Sequence, residues 1–232
     1  MLDAQGLTIA LPRDDGLQTL VHEVSFRLER GRTLGLVGES GSGKSITALA
    51  LMGLVPEPLC VIGGRIDLDG CDIVRLDEPV LRTLRGARIA MIFQDPSSAL
   101  NPVYTVGSQI AEAYRIHHTV SRAEAAERAV AALSEVGIPD PELRAGAYPH
   151  QLSGGMRQRA MIAMALINEP EVLIADEPTT ALDVTIQAQI LQLIEALQTR
   201  REMAILFISH NLAVVSEVAD EVMVMRAGRL VE

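Results

Sequence analysis

The sequence predicts an α/β fold: a mainly parallel sheet with a helical subdomain inserted into it. Short aliphatic runs each end near a polar or glycine-rich turn, which is typical of buried parallel strands. Helical patterns separate several of these runs, as they do in α/β proteins. The predicted strands span residues 33–37, 88–93, 172–175, 204–208 and 221–225, and the predicted helices span residues 44–54, 156–167 and 184–200.

One long stretch in the middle of the sequence has a mostly helical pattern. Within it, Ser121 and Glu124 form a capping-box pattern that opens an Ala-rich helix. This helix should continue to Val136, because Gly137 then stops it. The predicted division is a single domain, 1–232, with a core subdomain of residues 1–94 and 168–232 and a helical subdomain of residues 95–167.

Composition and charge argue against several classes of protein. The 232 residues carry a formal net charge of -10, so no basic excess is present to bind nucleic acid non-specifically. No run approaches the ~18 to 20 apolar residues that cross a bilayer. Residues 1–11 lack the features of a secretory signal, so we expect a cytoplasmic chain. Cys60 and Cys71 are not a Cys-x-x-Cys pair, which favours two reduced thiols over a metal or redox site.

The strongest motif is a complete G-x-x-x-x-G-K-S phosphate loop between a predicted strand and a predicted helix. Its glycines let backbone N–H groups surround phosphates, and the helix N-terminus adds its positive end. Lys44, the only lysine in the chain, should reach the β- and γ-phosphates, and Ser45 should bind Mg²⁺. A chance glycine-rich turn is the disfavoured alternative. The loop consists of Gly38, Glu39, Ser40, Gly41, Ser42, Gly43, Lys44 and Ser45.

A second motif places two carboxylates, Asp176 and Glu177, after an apolar strand. The carboxyl ends of strands in an open α/β sheet are where ligands gather. Asp176 is therefore predicted to hold Mg²⁺, and Glu177 to polarise the water that attacks the γ-phosphate. Two acidic residues at an ordinary strand exit are the alternative, which the phosphate loop makes less favoured.

Two further polar residues follow predicted strands. Gln94 is predicted to contact Mg²⁺ and the attacking water, and His210 to hydrogen-bond the γ-phosphate. Either residue alone is more often a plain surface or turn residue. Their common location at strand ends favours the functional interpretation.

Ser153, Gly154 and Gly155 precede a strongly helical segment. Two glycines there reduce helix propensity, but they leave N–H groups open to a phosphate while Ser153 caps the helix. The sequence thus offers two phosphate-binding helix ends. If two chains face each other, one nucleotide can lie between the two kinds of site.

In order and spacing, these motifs resemble those of ATP-binding cassette ATPases over nearly the whole chain. The sequence around and between these motifs, including Y-P-H-Q-L-S-G-G over 148–155, is similar to that of dipeptide, oligopeptide and nickel importers. The resemblance implies a phosphate-loop NTPase of this type with an N-terminal antiparallel β region, ATP and Mg²⁺ as cofactors, and a nucleotide contact from Asp183. The matching motifs are 38–45 (Walker A), Gln94 (Q-loop), 152–156 (signature), Asp176 with Glu177 (Walker B), 181–183 (D-loop) and His210 (switch histidine).

The resemblance also implies partners. Two ATPase domains would pair head to tail, identical or different, and drive two permease subunits that dock near Gln94 and the helical insertion. The chain would lie at the cytoplasmic face of the membrane and power import of peptides or related solutes, which a binding protein outside the membrane delivers. One alternative is a soluble cassette ATPase acting in DNA repair or translation; another is a regulator without hydrolysis, which the presence of Glu177 and His210 disfavours.

The sequence departs from the importer pattern at two places. An aromatic residue upstream of the phosphate loop normally stacks on adenine, but the first aromatic residue is Phe26, and Leu11 occupies the aligned position. Members of this group usually continue into a C-terminal extension, whereas this sequence ends at Glu232. We therefore expect either that Leu11 or Val21 offers an apolar surface for the base or that the base is held loosely, with reduced selectivity for adenine. We also expect a chain that either lacks the extension or is truncated.

Overall fold

The larger of two sheets carries the ends of the strands that the sequence analysis singled out. A computed structural model describes residues 1–180 and 182–232 of the chain. Six strands lie in the order β10-β9-β3-β8-β7-β6, and every neighbouring pair is parallel except β10 with β9. The predicted, mainly parallel sheet is confirmed. Its strands are β3 (Thr33–Val37), β6 (Ile89–Ile92), β7 (Val172–Asp176), β8 (Ala204–Ser209), β9 (Glu221–Arg226) and β10 (Arg229–Leu230).

The second sheet is antiparallel and has the order β2-β1-β4-β5. The N-terminal hairpin supplies two of its strands, as the resemblance implied, but the segment after the first helix supplies the other two. Its inward-facing side chains, such as Leu7, Ile9 and Ile66, are fully buried in a core that also includes Leu36 and Ile174 of the parallel sheet. The two sheets therefore share one hydrophobic core. The strands are β1 (Leu2–Arg13), β2 (Gly16–Leu28), β4 (Cys60–Leu68) and β5 (Cys71–Asp72).

Nine α-helices and two short 3-10 helices, Ile73–Arg75 and Pro149–Gln151, occur among the described residues. The helix predicted to begin with a capping residue does so, because the Ser121 hydroxyl accepts a hydrogen bond from the Glu124 amide at 3.1 Å. It ends before Gly137, which has a φ of +72°. In residues 1–180 and 182–232, no helix combines the length and apolar character needed to cross a membrane. The helices are α1 (Lys44–Leu51), α2 (Glu78–Leu84), α3 (Pro96–Ala99), α4 (Val106–Arg115), α5 (Arg122–Glu135), α6 (Pro141–Ala145), α7 (Gly154–Leu166), α8 (Val184–Arg201) and α9 (Leu212–Val218).

Helices α3 to α7 all lie between β6 and β7 in the sequence. Their apolar faces pack on one another around Ile110, Leu133 and Ile162, which are fully buried. The same core continues to Phe207 of β8, so the helical layer is fixed against the sheet. Packing of this kind holds the first turn of α7 in a defined position relative to the strand ends.

Candidate active site

Four adjacent strands bring the predicted site residues to one edge of the parallel sheet. In the order β3-β8-β7-β6, the phosphate loop follows β3, His210 follows β8, Glu177 follows β7 and Gln94 lies two residues after β6. Because these strands are parallel, their carboxyl ends lie side by side. The fold therefore assembles residues that are more than 100 positions apart in the sequence.

The phosphate loop depends on backbone shapes that only glycine adopts easily. Gly43 has a φ of +109°, and α1 begins at the next residue, Lys44. A Cβ atom on Gly38 would lie 2.2 Å from the carbonyl oxygen of Met225, so no side chain fits there. The loop thus presents backbone N–H groups at the N-terminus of a helix, which suits a phosphate.

Lys44 lies against the inside of this loop and is only 5% exposed. Its Nζ donates hydrogen bonds to the carbonyl oxygens of Gly38 at 2.8 Å and Glu39 at 2.9 Å. An ammonium group has three protons, so one remains for an anionic ligand. The lysine both stabilises the loop and places its positive charge beside the predicted phosphate position.

Asp176 ends β7 and is 6% exposed, yet its Oδ1 has no hydrogen-bond partner among the described residues. Burial raises the pKa of this carboxyl, and the nearby Ser45 hydroxyl offsets part of that effect. A buried carboxylate oxygen without a donor is costly unless a cation binds it. Asp176 and Ser45 are oxygen ligands of the kind that Mg²⁺ prefers, so the residues present fit this ion.

Replacing Asp176 with Asn should stabilise the metal-free protein while removing ATP hydrolysis. The raised pKa means that folding disfavours the charged form of Asp176. The resulting loss of folding free energy is absent below the ordinary pKa of 3.8, grows as the pH rises from there through the folded-state pKa, and is complete above it. We expect a gain of about 1 kcal/mol at pH 7. This corresponds to a melting temperature about 2–4 °C higher.

Thermal unfolding in EDTA at pH 4 and pH 7 would measure this effect. Asp14→Asn, which removes an exposed carboxylate at the tip of the β1–β2 hairpin, is the matched control and should change neither value. A loss of stability at pH 7 in the Asp176 variant would show that its charge is stabilised in the metal-free protein.

The Glu177 carboxylate is the point where the other site residues meet. Its Oε1 accepts a hydrogen bond from His210 Nδ1 at 3.1 Å. Its Oε2 accepts one from Gln94 Nε2 at 3.1 Å and one from the Thr180 hydroxyl at 2.8 Å. The backbone at Glu177 has a φ of +47°, and its N–H donates to Ile208 of β8 at 2.9 Å. The carboxylate is thus fixed by both backbone and side-chain contacts.

The charge state of Glu177 follows from these contacts. Burial raises its pKa, but the hydrogen bonds from His210 and Thr180, together with the charges of His210 and Lys44, outweigh burial. The net result is a pKa below the ordinary value, so the group stays ionised at neutral pH. An ionised, partly buried carboxylate can accept a proton from a water molecule.

Sequence reasoning did not find Thr180. The structure shows that its hydroxyl contacts Glu177, three residues earlier, because the intervening turn folds back with a Thr180 N–H to Glu177 carbonyl bond of 3.1 Å. The two threonines that follow the Asp-Glu-Pro sequence were the only local indication of a hydroxyl near Glu177. Nothing in the sequence alone orients either hydroxyl.

The signature turn, residues 153–155, forms the start of α7 and leaves space beside Gly154. The Ser153 hydroxyl accepts a hydrogen bond from the Met156 amide at 3.3 Å and caps α7. Within the described part of the chain, a Cβ atom on Gly154 would meet nothing within 4 Å, whereas one on Gly155 would lie 3.0 Å from Ile186. Among the described residues, no hydrogen bond joins this turn to the phosphate loop.

Three further residues from the sequence analysis are Asp183, Ala181 and Leu11. Asp183 caps α8, because its Oδ1 accepts a hydrogen bond from the Ile186 amide at 2.9 Å. Ala181, in the predicted D-loop, lies outside the described residues. Leu11 is half-buried on β1 opposite Gln18, so it offers an apolar side chain at the position aligned with the usual aromatic residue.

A phosphate loop at the end of a central strand, with an Asp-Glu pair on a nearby parallel strand, defines a phosphate-loop nucleotide hydrolase. The chain belongs to the ABC transporter family, whose profile matches residues 21–180, and it is an ATPase of the ATP-binding cassette class. The ABC-type fold class and the ATP-hydrolysing class expected from the sequence are confirmed.

Similar proteins agree with this assignment. The chain is 53% identical over 233 residues to a probable peptide ABC transporter ATP-binding protein of Sinorhizobium fredii, covering all of this chain and 70% of that protein. It is 48% identical over 232 residues to the dipeptide transport ATP-binding protein of Escherichia coli, covering all of this chain and 71% of that protein. A dimeric ATP-binding cassette solved in a post-hydrolysis state with ADP and Pi superposes with a TM-score of 0.87 at 26% identity, covering all of this chain and 97% of that one.

Proposed function

We propose that this ATPase powers the import of peptides or related small solutes through a membrane permease. The observation that carries the hydrolytic part is the convergence of His210, Gln94 and Thr180 on Glu177. The names of the similar proteins from Sinorhizobium fredii and Escherichia coli support peptides as the class of solute. These names and the net charge of -10 favour transport over a role in DNA repair or translation.

In this proposal Glu177 is the general base. Its ionised carboxylate accepts a proton from the water that attacks the γ-phosphate. His210 holds Oε1 of Glu177 and is exposed, so it can also reach a γ-phosphate. Gln94 holds Oε2 and connects this carboxylate to the start of the helical insertion.

The phosphate loop, residues 38–45, binds the phosphates of ATP. Ser45, Asp176 and Gln94 would hold Mg²⁺, which neutralises the charge that builds up on the phosphates. The Oδ1 atom of Asp176, which has no hydrogen-bond partner in the described part of the chain, supports this assignment. The positive charge of Lys44 beside the loop adds to the same electrostatic stabilisation.

Ser153, Gly154 and Gly155 complete the nucleotide site of a second ATPase chain in a head-to-tail pair. The open space at Gly154 supports this role, because a phosphate can approach the backbone N–H groups there. Asp183, near the open turn, contributes a further contact to the nucleotide. The dimeric state of the solved cassette with ADP and Pi is consistent with such a pair.

An apolar groove of about 580 Å³ is the proposed docking site of the permease subunits. It reaches Phe93, the residue before Gln94, so a bound permease helix would lie beside the hydrolytic site. Ile116 at its rim is 69% exposed and extends the apolar surface of the groove, and contiguous apolar surface of this kind marks interaction sites. The chain would lie at the cytoplasmic face of the membrane, and a binding protein outside it would deliver the solute. The groove is lined by Met52, Phe93, Ala113, Ile116, Met161 and Met164, among others.

The proposal includes the division into two subdomains. Residues 95–167 would move as the helical subdomain against the core subdomain, residues 1–94 and 168–232, when the nucleotide binds. Helices α3 to α7 pack on one another around Ile110, Leu133 and Ile162, which supports a helical unit, although the same core continues into the sheet. The groove lies between β6 and these helices, so their relative motion would change its shape.

Reconstitution with the permease subunits and binding protein from the same gene cluster tests the proposal. Hydrolysis should rise several-fold when the binding protein carries a di- or oligopeptide. Ile116→Asp should abolish co-purification with the permease, because it places a charge in the apolar groove. The control Val231→Asp alters an apolar residue outside the groove that is 59% exposed, and it should leave co-purification intact. A chain that binds no permease, or peptides that never stimulate hydrolysis, would contradict the proposed function.

A further inference from the structure

Gln158 is a buried amide that the hydrolytic site, as described above, does not use. It lies in the second turn of α7, five residues after the signature serine Ser153, and is only 2% exposed. Its Nε2 donates a hydrogen bond to the carbonyl oxygen of Pro178, the residue that follows Glu177. A side chain of the signature helix therefore holds the loop that carries Glu177.

This hydrogen bond has a clear energetic role. An apolar side chain of similar volume would fill the same space without burying a polar group. A buried amide, by contrast, destabilises the folded protein unless it is hydrogen-bonded. Pro178 has no N–H of its own, and its carbonyl lies just beyond the end of β7. The amide of Gln158 is thus the group that fixes this carbonyl after the strand ladder has ended.

A second contact joins the same two segments. The first turn of α7 abuts the first turn of α8, since a Cβ atom on Gly155 would lie 3.0 Å from Cγ2 of Ile186. The α8 helix begins at Val184, directly after the segment that carries Glu177 and Thr180. The signature turn is therefore connected to the Glu177 segment on both sides, through Gln158 and through Ile186.

We propose that Gln158 is a positioning residue that couples the signature turn of the chain to the Glu177 carboxylate of the same chain. A phosphate that binds at Ser153 to Gly155 shifts α7, and the Gln158–Pro178 hydrogen bond carries this shift to the loop of Glu177. In a head-to-tail pair those two groups face different nucleotides, so the bond links the two ATP sites. The inference rests on the proposed roles of Glu177 and of the signature turn.

Amide hydrogen exchange of the nucleotide-free chain tests the link directly. Gln158→Met keeps the volume but removes the donor, so the backbone amides of Glu177, Thr179 and Thr180 should exchange about tenfold faster. The matched control is Gln109→Met, which removes another buried amide of the helical layer, one that donates to the carbonyls of Asn101 and Tyr104. This control should leave the exchange of those three amides unchanged. Unchanged exchange at these positions in folded Gln158→Met would overturn the proposal.

If the Gln158 variant does not fold, the unmodified chain still gives an answer. The side-chain amide protons of Gln158 should exchange at least about tenfold more slowly than those of Gln192, which is exposed on α8. Equal exchange rates for the two side chains would mean that the bond to Pro178 is not maintained in solution.

Steady-state hydrolysis separates positioning from a merely structural role. Gln158→Met should lower kcat about tenfold and change KM for ATP less than about twofold, because the phosphate loop is untouched. Glu177→Gln serves as the test of the base itself. If Glu177→Gln keeps full activity, the proposed base is wrong; if it is inactive while Gln158→Met has normal kcat, only the coupling role fails.

Discussion

The Glu177→Gln variant should bind Mg-ATP normally and hydrolyse it about a thousandfold more slowly. The amide cannot accept a proton from water, but it keeps the size of the side chain that His210, Gln94 and Thr180 surround. If ATP closes the proposed pair and hydrolysis reopens it, this variant should accumulate as a closed dimer. Molar mass in solution should double when Mg-ATP is added.

Two variants control this measurement. Lys44→Ala in the same background removes the ammonium beside the phosphate loop and should abolish the ATP-dependent doubling. Glu195→Gln removes an exposed carboxylate of α8 and should leave hydrolysis unchanged. Rapid phosphate release by Glu177→Gln would exclude Glu177 as the base. A persistent monomer that still binds ATP would indicate a different partner ATPase.

The Gly154→Asp variant should leave the single chain as stable as before and yet abolish ATP-dependent pairing. A Cβ atom at this position meets no atom within 4 Å, so the side chain can be accommodated. An acidic group in the first turn of a helix also interacts favourably with the helix dipole, by about 0.3–1 kcal/mol. The same carboxylate would repel a phosphate that approaches the turn, and we expect hydrolysis to fall at least about a hundredfold.

Thermal unfolding and molar mass measured on the same samples check this prediction. The matched control, Ala123→Asp, adds the same charge to the exposed first turn of α5 and should pair normally. If Gly154→Asp pairs with ATP as the unmodified chain does, the signature turn does not face a nucleotide. If it unfolds, the open space at Gly154 is not available to a side chain in solution.

Local sequence patterns predicted most of the fold because each pattern had one clear physical cause. Aliphatic runs that are buried on both faces indicated β3, β7 and β8, and the structure has them within one residue of the predicted bounds. The helix after Ser121 was predicted equally well, since its cap and its terminal glycine are both local signals. The later strands of the antiparallel sheet, β4 and β5, were not predicted. The pairing of β4 with β1 joins segments about 60 residues apart, and β5 in turn pairs with β4.

The site residues also divide into those that a local sequence pattern predicts and those that it does not. The phosphate loop and the Asp176-Glu177 pair were found from the sequence, because their spacing is fixed within one loop or one strand end. Thr180 and Gln158 were missed. The role of Thr180 depends on how a turn folds back, and the role of Gln158 depends on which group a buried amide contacts. A threonine or glutamine at such a position can equally well point into water, so the residue types alone do not predict these contacts.

The sequence by itself determined that this chain has a phosphate loop, an acidic pair and a second glycine-rich helix start, since the chemistry of each is contained in a few consecutive residues. Only the tertiary structure decided that His210, Gln94 and Thr180 all bind one carboxylate, and that Gln158 holds the adjacent loop. The physical reason is that hydrogen bonds between distant segments depend on strand order and helix packing. Those are properties of the whole fold, which no single segment encodes.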